Sequence, residues 1–166
     1  MIRVCLMLTR SSIFLAKYMK KTFLLQTQED WKGCFDALIP RLKSGMILAL
    51  SGPLGAGKTT CAQLLLARLG CEQTVKSPTF SLLRTYHVHE HGLTRVLHVD
   101  AYRLEEEGEA RILNLEEELE VPGTILVIEW PERLRFWLMD RAEQVIWLTI
   151  QPEEGEKRDV TLEMRG

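Results

Sequence analysis

Apolar residues along this chain fall into blocks whose period changes from helical to extended. Between Gln28 and about Leu42, Trp31, Phe35, Leu38 and Ile39 recur at helical spacing, with Thr27 placed to cap the segment and Gly45 beyond its end. Met46 to Leu50 and Ile125 to Ile128 are unbroken apolar runs, the pattern of strands buried on both faces. Lys58 to about Leu69 returns to helical spacing through Leu64, Leu65, Leu66 and Leu69, and Gly70 stops it. Shorter runs predict an edge strand at Phe23 to Leu25 and two strands, Leu82 to Val88 and Thr94 to Val99, joined around His91-Gly92. Two further strands are predicted at Val145 to Ile150 and Val160 to Met164. Leu104 to Leu119, rich in glutamate, reads as a helix interrupted at Gly108, and Pro131 to about Arg141 as a short one. The glutamate runs Glu105 to Glu109 and Glu116 to Glu120 are solvated faces. Ser77-Pro78 marks a loop and Pro122-Gly123 a turn. Strands alternating with helices predict an α/β sheet covered on both faces.

Size and composition narrow the class. The chain has 166 residues, 46% of them hydrophobic, enough for one domain with a real core. Neither an internal repeat nor a dividing linker is visible, so residues 19–166 are expected to form a single domain. Residues 1–18 mix Arg3, Arg10 and Lys17 with apolar side chains, and Arg10 interrupts any apolar core that a targeting segment requires. They read as an extension, with translation starting at Met7 or Met19. Apolar runs of about 20 residues, long enough to span a bilayer, do not occur, so no membrane association is expected. Cys5, Cys34, Cys61 and Cys71 form no C-x-x-C pair, which argues against a zinc knuckle and for reduced thiols in the cytoplasm. The net charge of -2 supplies no basic footprint for nucleic acid, so any contact with RNA must be local or made by a partner.

The chemistry concentrates in one loop. Gly52-Pro53-Leu54-Gly55-Ala56-Gly57-Lys58-Thr59 satisfies G-x-x-x-x-G-K-[ST] between a buried strand and a helix. Glycines at 55 and 57 let successive amides, including that of Ala56, turn inward toward phosphate oxygens, and the helix start adds its positive end. Lys58 can neutralise the β- and γ-phosphates of ATP, and the Thr59 hydroxyl can ligate Mg²⁺, with Thr60 beside it. The fold expected around such a loop is P-loop NTPase-like: a mostly parallel sheet with helices on both faces and antiparallel additions.

Two apolar strands end in a carboxylate, Val96 to Asp100 and Ile125 to Glu129. Such an acid can hold Mg²⁺ or its water, orient the attacking water, or merely cap the next element. Ser77-Pro78-Thr79-Phe80 offers a hydroxyl on a constrained loop, suited either to sensing a γ-phosphate or to forming a turn. Trp130 can stack on a partner or pack in the core. His87, His89 and His91 alternate near a hairpin tip, where solvent exposure is the simpler reading than a metal site.

Four motifs taken in order, GPLGAGKTT at 52–60, SPTF at 77–80, HVDAYR at 98–103 and Glu129-Trp130-Pro131 after an apolar strand, resemble the TsaE (YjeE) family. That family comprises the bacterial ATPases of tRNA threonylcarbamoyladenosine synthesis. The resemblance runs from about Leu24 to Ile150. It implies an ATPase that joins the TsaB–TsaD pair and drives or resets threonylcarbamoyl transfer to adenosine in the tRNA anticodon loop, reaching tRNA only through the complex. It further implies Mg²⁺ ligation by Thr59 and Glu129, a place for Asp100 at the metal or the attacking water, and a switch role for Thr79. Trp130 becomes functional by the same argument, and Gln28 or Glu29 lies nearest the adenine. Pro53 stands where the family usually carries an acid, and residues 1–18 and the tail after Gln151 have no clear counterpart. Rival readings are a small P-loop kinase, with Arg133, Arg135 and Arg141 as a lid, and an assembly factor holding ATP as a structural ligand. A GTPase is disfavoured because no N-K-x-D loop is present.

Overall fold

A computed structural model describes residues 18–78, 81–104 and 114–165. Its centre is a seven-stranded sheet in the order β1-β7-β6-β2-β5-β4-β3. The strands are β1 (Tyr18–Leu25), β2 (Ile47–Ser51), β3 (Leu83–His87), β4 (Arg95–Asp100), β5 (Thr124–Glu129), β6 (Val145–Pro152) and β7 (Arg158–Arg165). The middle four, β6-β2-β5-β4, pair in parallel, whereas β1, β7 and β3 are antiparallel additions. The predicted class and every predicted strand are therefore present.

The apolar runs explain the order. Every residue of β5 and the first four of β2 are buried, as unbroken hydrophobic strands must be at the middle of a covered sheet. Their side chains alternate between two cores. Leu48, Leu50, Ile125 and Val127 join one core with α1 (Trp31–Leu38) and α2 (Lys58–Arg68). Ile47, Ala49, Leu126 and Ile128 join the other with α3 (Leu115–Glu120) and α4 (Arg135–Met139). β1 instead alternates exposed with half-buried positions and carries Lys20, paired with Glu163 at 2.8 Å, features suited to an edge.

Two expectations need correction. Thr27 does not cap α1, which starts only at Trp31; instead the Asp30 carboxylate reaches back and accepts the Gln26 and Thr27 amides, each at 2.8 Å. These bonds hold the Asp30 carboxyl below its ordinary range. Residues 26–30 thus form a bonded turn rather than the first helical turn, and Pro40 converts the other end to a 3-10 turn at Ile39–Arg41. The tail after Gln151, without assigned role from sequence, completes β6 and returns as β7. Of the predicted glutamate-rich helix, Leu104 is extended after a 3-10 turn and Leu115–Glu120 is helical, while positions 105–113 lie outside the described residues.

Candidate functional site

β2, β4 and β5 run parallel and in register, so their carboxyl ends bring Ser51, Asp100 and Glu129 to one edge: Asp100 is the register partner of Glu129, and Leu50 of Glu129 on the other side. The loop that leaves β2 there is shaped by its glycines. Gly52, Gly55 and Gly57 have φ of +145°, +77° and +104°. At Gly52 a side chain would be excluded outright, because a Cβ would stand 2.3 Å from the Ile150 carbonyl oxygen. Gly57 in the left-handed conformation launches α2, whose first amides have no intrahelical acceptor and face the loop. Ala56 frames the turn: its amide donates to the Pro53 carbonyl at 3.2 Å, and its carbonyl accepts from Arg158 Nε at 3.2 Å.

Lys58 is buried at the bottom, only 5% exposed. Its ammonium donates to the carbonyls of Gly52 and Pro53, both at 2.8 Å, and lies 3.6 Å from the centre of the Trp130 ring. Burial pushes its pKa down; the neighbouring carboxylates of Glu129, Glu132 and Asp100 pull it back up. Trp130 itself has φ +61°, a conformation costly for a bulky residue, and its ring meets Tyr102 at a centroid separation of 5.0 Å. Half-buried, it is neither a core residue nor free.

The two strand-end acids behave differently. Asp100 does cap the next element: Oδ1 accepts the Tyr102 amide at 3.1 Å, and Oδ2 has a long contact of 3.5 Å with the Ser77 hydroxyl. Glu129 caps nothing. Its Oε2 accepts the Thr59 hydroxyl at 2.8 Å, and its Oε1 lies 2.8 Å from Nε2 of the fully buried His98. Thr59, Asp100 and Glu129 together give an all-oxygen donor set beside the lysine, the chemistry that Mg²⁺ prefers. Among the described residues no three His, Cys, Asp or Glu side chains could hold a metal by themselves.

Two clefts meet at the loop. One, of about 410 Å³, is lined by Lys58, Thr59, Ser77, Asp100, Glu129 and Trp130. The other, of about 310 Å³, runs from Gly57 and Thr60 past Gln28, Trp31 and Arg158. Thr60 and Gly57 belong to both. Gln28 and Trp31 line both this second cleft and an adjoining outer groove, which Glu29 lines with Phe35 and Arg68. Thr79 lies outside the described residues. Four site residues went unassigned from sequence: His98, Tyr102, Glu132, whose carboxylate accepts the Ser51 hydroxyl, and Arg158. His98 and Tyr102 left a sequence signal in the HVDAYR motif, His98 also as a polar residue inside the apolar run of β4.

Comparison with known proteins points to one family. The profile of a family described as "Threonylcarbamoyl adenosine biosynthesis protein TsaE" matches residues 25–160. A Mycobacterium tuberculosis (strain H37Rv) protein named tRNA threonylcarbamoyladenosine biosynthesis protein TsaE is 34% identical over 124 residues, covering 72% of this chain and 74% of that protein. The protein of that name from Bacillus subtilis (strain 168) is 34% identical over 124 residues, covering 75% and 73%. Among solved structures, the crystal structure of Bacillus subtilis YdiB superposes with a TM-score of 0.68 over 90% of this chain and 88% of that one; at 24% identity it supports the fold.

Proposed function

The chain belongs to the TsaE family, and from that premise we propose that it binds and hydrolyses Mg²⁺-ATP to support threonylcarbamoyl transfer to adenosine in the tRNA anticodon loop, working with a TsaB–TsaD type pair in the cytoplasm. The observation that carries the proposal is the convergence of Lys58, Thr59 and Glu129 at the mouth of a glycine-shaped loop.

The roles follow from position. The amides of Gly55, Gly57 and the start of α2 receive phosphate oxygens, while Ala56 holds the turn in shape. Lys58 exchanges its bonds to the Gly52 and Pro53 carbonyls for phosphate oxygens, keeping the Trp130 ring beneath its charge. Thr59 and Glu129 are the residues to hold Mg²⁺, which when bound neutralises charge on the transferring phosphoryl group. Asp100, fixed by the Tyr102 amide, is placed to orient the attacking water or a metal-bound one. The cleft that runs past Gln28 takes the adenosine end of the nucleotide, with Glu29 on the groove that adjoins it at Gln28 and Trp31.

Ser77, at the mouth of the phosphate cleft, leads into Thr79, which takes the switch role. Ser77, with the loop it opens, and Trp130 form the docking surface for the protein pair, since Ser77 and Trp130 both line the phosphate cleft. Transfer RNA is contacted through the complex, in keeping with a net charge of -2. Among the described residues no helix is long and apolar enough to cross a membrane.

The test is ATP hydrolysis by this chain alone and with a TsaB–TsaD pair, with and without Mg²⁺. Mg²⁺-dependent turnover that rises on adding the pair is expected. Turnover unaffected by the pair, together with phosphorylation of a nucleoside or sugar in a parallel screen, would replace this proposal with the kinase.

A further inference from the structure

His98 occupies a position that packing alone would give to an aliphatic side chain. In β4, Leu97 and Val99 point to one core while Val96 points to the other, the side shared with α2. Alternation places His98 on the side of Val96, between the sheet and the phosphate-binding helix. It is 0% exposed, and its Nδ1 is the one buried side-chain nitrogen or oxygen among the described residues without a hydrogen-bond partner. A leucine there would fill the space and remove the orphaned nitrogen, at the expense of the one bond the ring makes. Burying an imidazole with an orphaned nitrogen lowers stability, so what the ring adds must be sought in the single bond it makes.

That bond goes to Glu129. The carboxylate has two oxygens, and both are committed: Oε1 to His98 Nε2 and Oε2 to the Thr59 hydroxyl, each at 2.8 Å. With Glu129 ionised, Nε2 carries the proton and donates it. The Tyr86 ring lies against the imidazole, 6.4 Å between centroids and tilted by 42°. Tyr86 is itself held, its hydroxyl bonded to both the amide and the carbonyl of Lys76 at 3.0 Å. The imidazole is thus braced from behind and bonded in front.

We infer that His98 is a positioning residue that holds Glu129 Oε1, so that Oε2 alone is presented to Thr59 and to the metal of a bound nucleotide. This rests on the Mg²⁺-ATP reading of the site. Mg²⁺ demands near-octahedral geometry and gives up water reluctantly, so the direction of a carboxylate oxygen matters more to it than to a larger ion. Outer partners of metal ligands typically change metal affinity by about 10- to 100-fold when removed.

The experiment uses the full chain, its His98→Leu and His98→Gln variants, and Mn²⁺ as the probe. Free Mn²⁺ is measured by electron paramagnetic resonance in the presence of a non-hydrolysable ATP analogue. Analogue affinity in EDTA and urea-unfolding midpoints are measured in parallel. His98→Leu, which trades the orphaned Nδ1 for an unpaired Glu129 Oε1, is expected to fold with a lowered urea midpoint, to bind the analogue normally in EDTA, and to bind Mn²⁺ about 10- to 100-fold more weakly. His98→Gln, which keeps a proton donor near Nε2 on a looser chain, is expected to recover part of that loss. Parent-like Mn²⁺ affinity in His98→Leu would overturn the inference. So would loss of folding in both variants, which would make His98 a packing residue. If the parent itself binds no Mn²⁺ with the analogue, it is the Mg²⁺-ATP reading that fails.

Discussion

Replacing Lys58 with methionine keeps the packed stem and removes the charge. In the free protein the ammonium is already satisfied by two carbonyls at 2.8 Å and a ring at 3.6 Å, so phosphate binding is an exchange and not a new pairing. An ammonium facing a phosphate at about 4 Å would be worth about 4 kcal/mol at an effective dielectric of 20, a thousandfold in affinity. Giving up the two carbonyls offsets much of this. The net loss in Lys58→Met is then that of about one charge-assisted hydrogen bond, about 1.5–3 kcal/mol, or ten- to a hundredfold in ATP affinity. Folding should change little: the Gly52 and Pro53 carbonyls lie on a loop that water can reach, and the cost of burying an ammonium disappears with the charge. Titration calorimetry with ATP, paired with urea unfolding, measures both terms. A folded Lys58→Met protein that binds ATP within threefold of the parent would refute the reasoning and reduce Lys58 to a brace for its own loop.

Glu129→Gln and Asp100→Asn should fold and bind ATP but turn it over about 10²-fold more slowly, as single-turnover kinetics would read; a parent rate in either makes that residue structural. Gly52→Ala should destabilise by about 2 kcal/mol or more, since φ is +145° and the new Cβ would meet the Ile150 carbonyl at 2.3 Å. Gly33→Ala, in the middle of α1 with nothing within 4 Å of the added carbon, should stabilise by about 0.5–1 kcal/mol in the same urea assay. Among the described thiols, iodoacetamide at pH 8 should modify Cys71 first, because burial pushes Cys34 up to about 12 and Cys61 well above its usual value; peptide mapping before and after unfolding checks the order.

The parts of the fold legible in the sequence are those where burial is symmetric. Met46 to Leu50 and Ile125 to Ile128 are apolar without a break because both faces are covered, and they mark β2 and β5 to within a residue or two. The P-loop was legible because its glycines are fixed by backbone geometry and its lysine by charge, and both needs are local. What escaped depends on which partner a polar side chain chooses, near or far in the chain. The start of α1 was misplaced because Asp30 bonds backward to the amides of Gln26 and Thr27, a choice the helical spacing of Trp31 and Phe35 cannot reveal. Arg158 reaches Ala56 across 102 positions of chain, and Glu132 reaches Ser51 across 81. For Asp100 and Glu129 the sequence offered the same choice, cap or ligand, and only the neighbours differ: the Tyr102 amide for one, Thr59 and His98 for the other.

The most direct measurement is the number of tRNA molecules modified per TsaB–TsaD pair, scored by threonylcarbamoyladenosine content, in reactions with this chain, without it, and with Lys58→Met, all supplied with ATP and Mg²⁺. Repeated modification is expected only with the parent chain, which by itself should show no appreciable tRNA binding at physiological salt. Equal, repeated modification in all three reactions would contradict the account, leaving an ATP-binding fold without the role assigned to it.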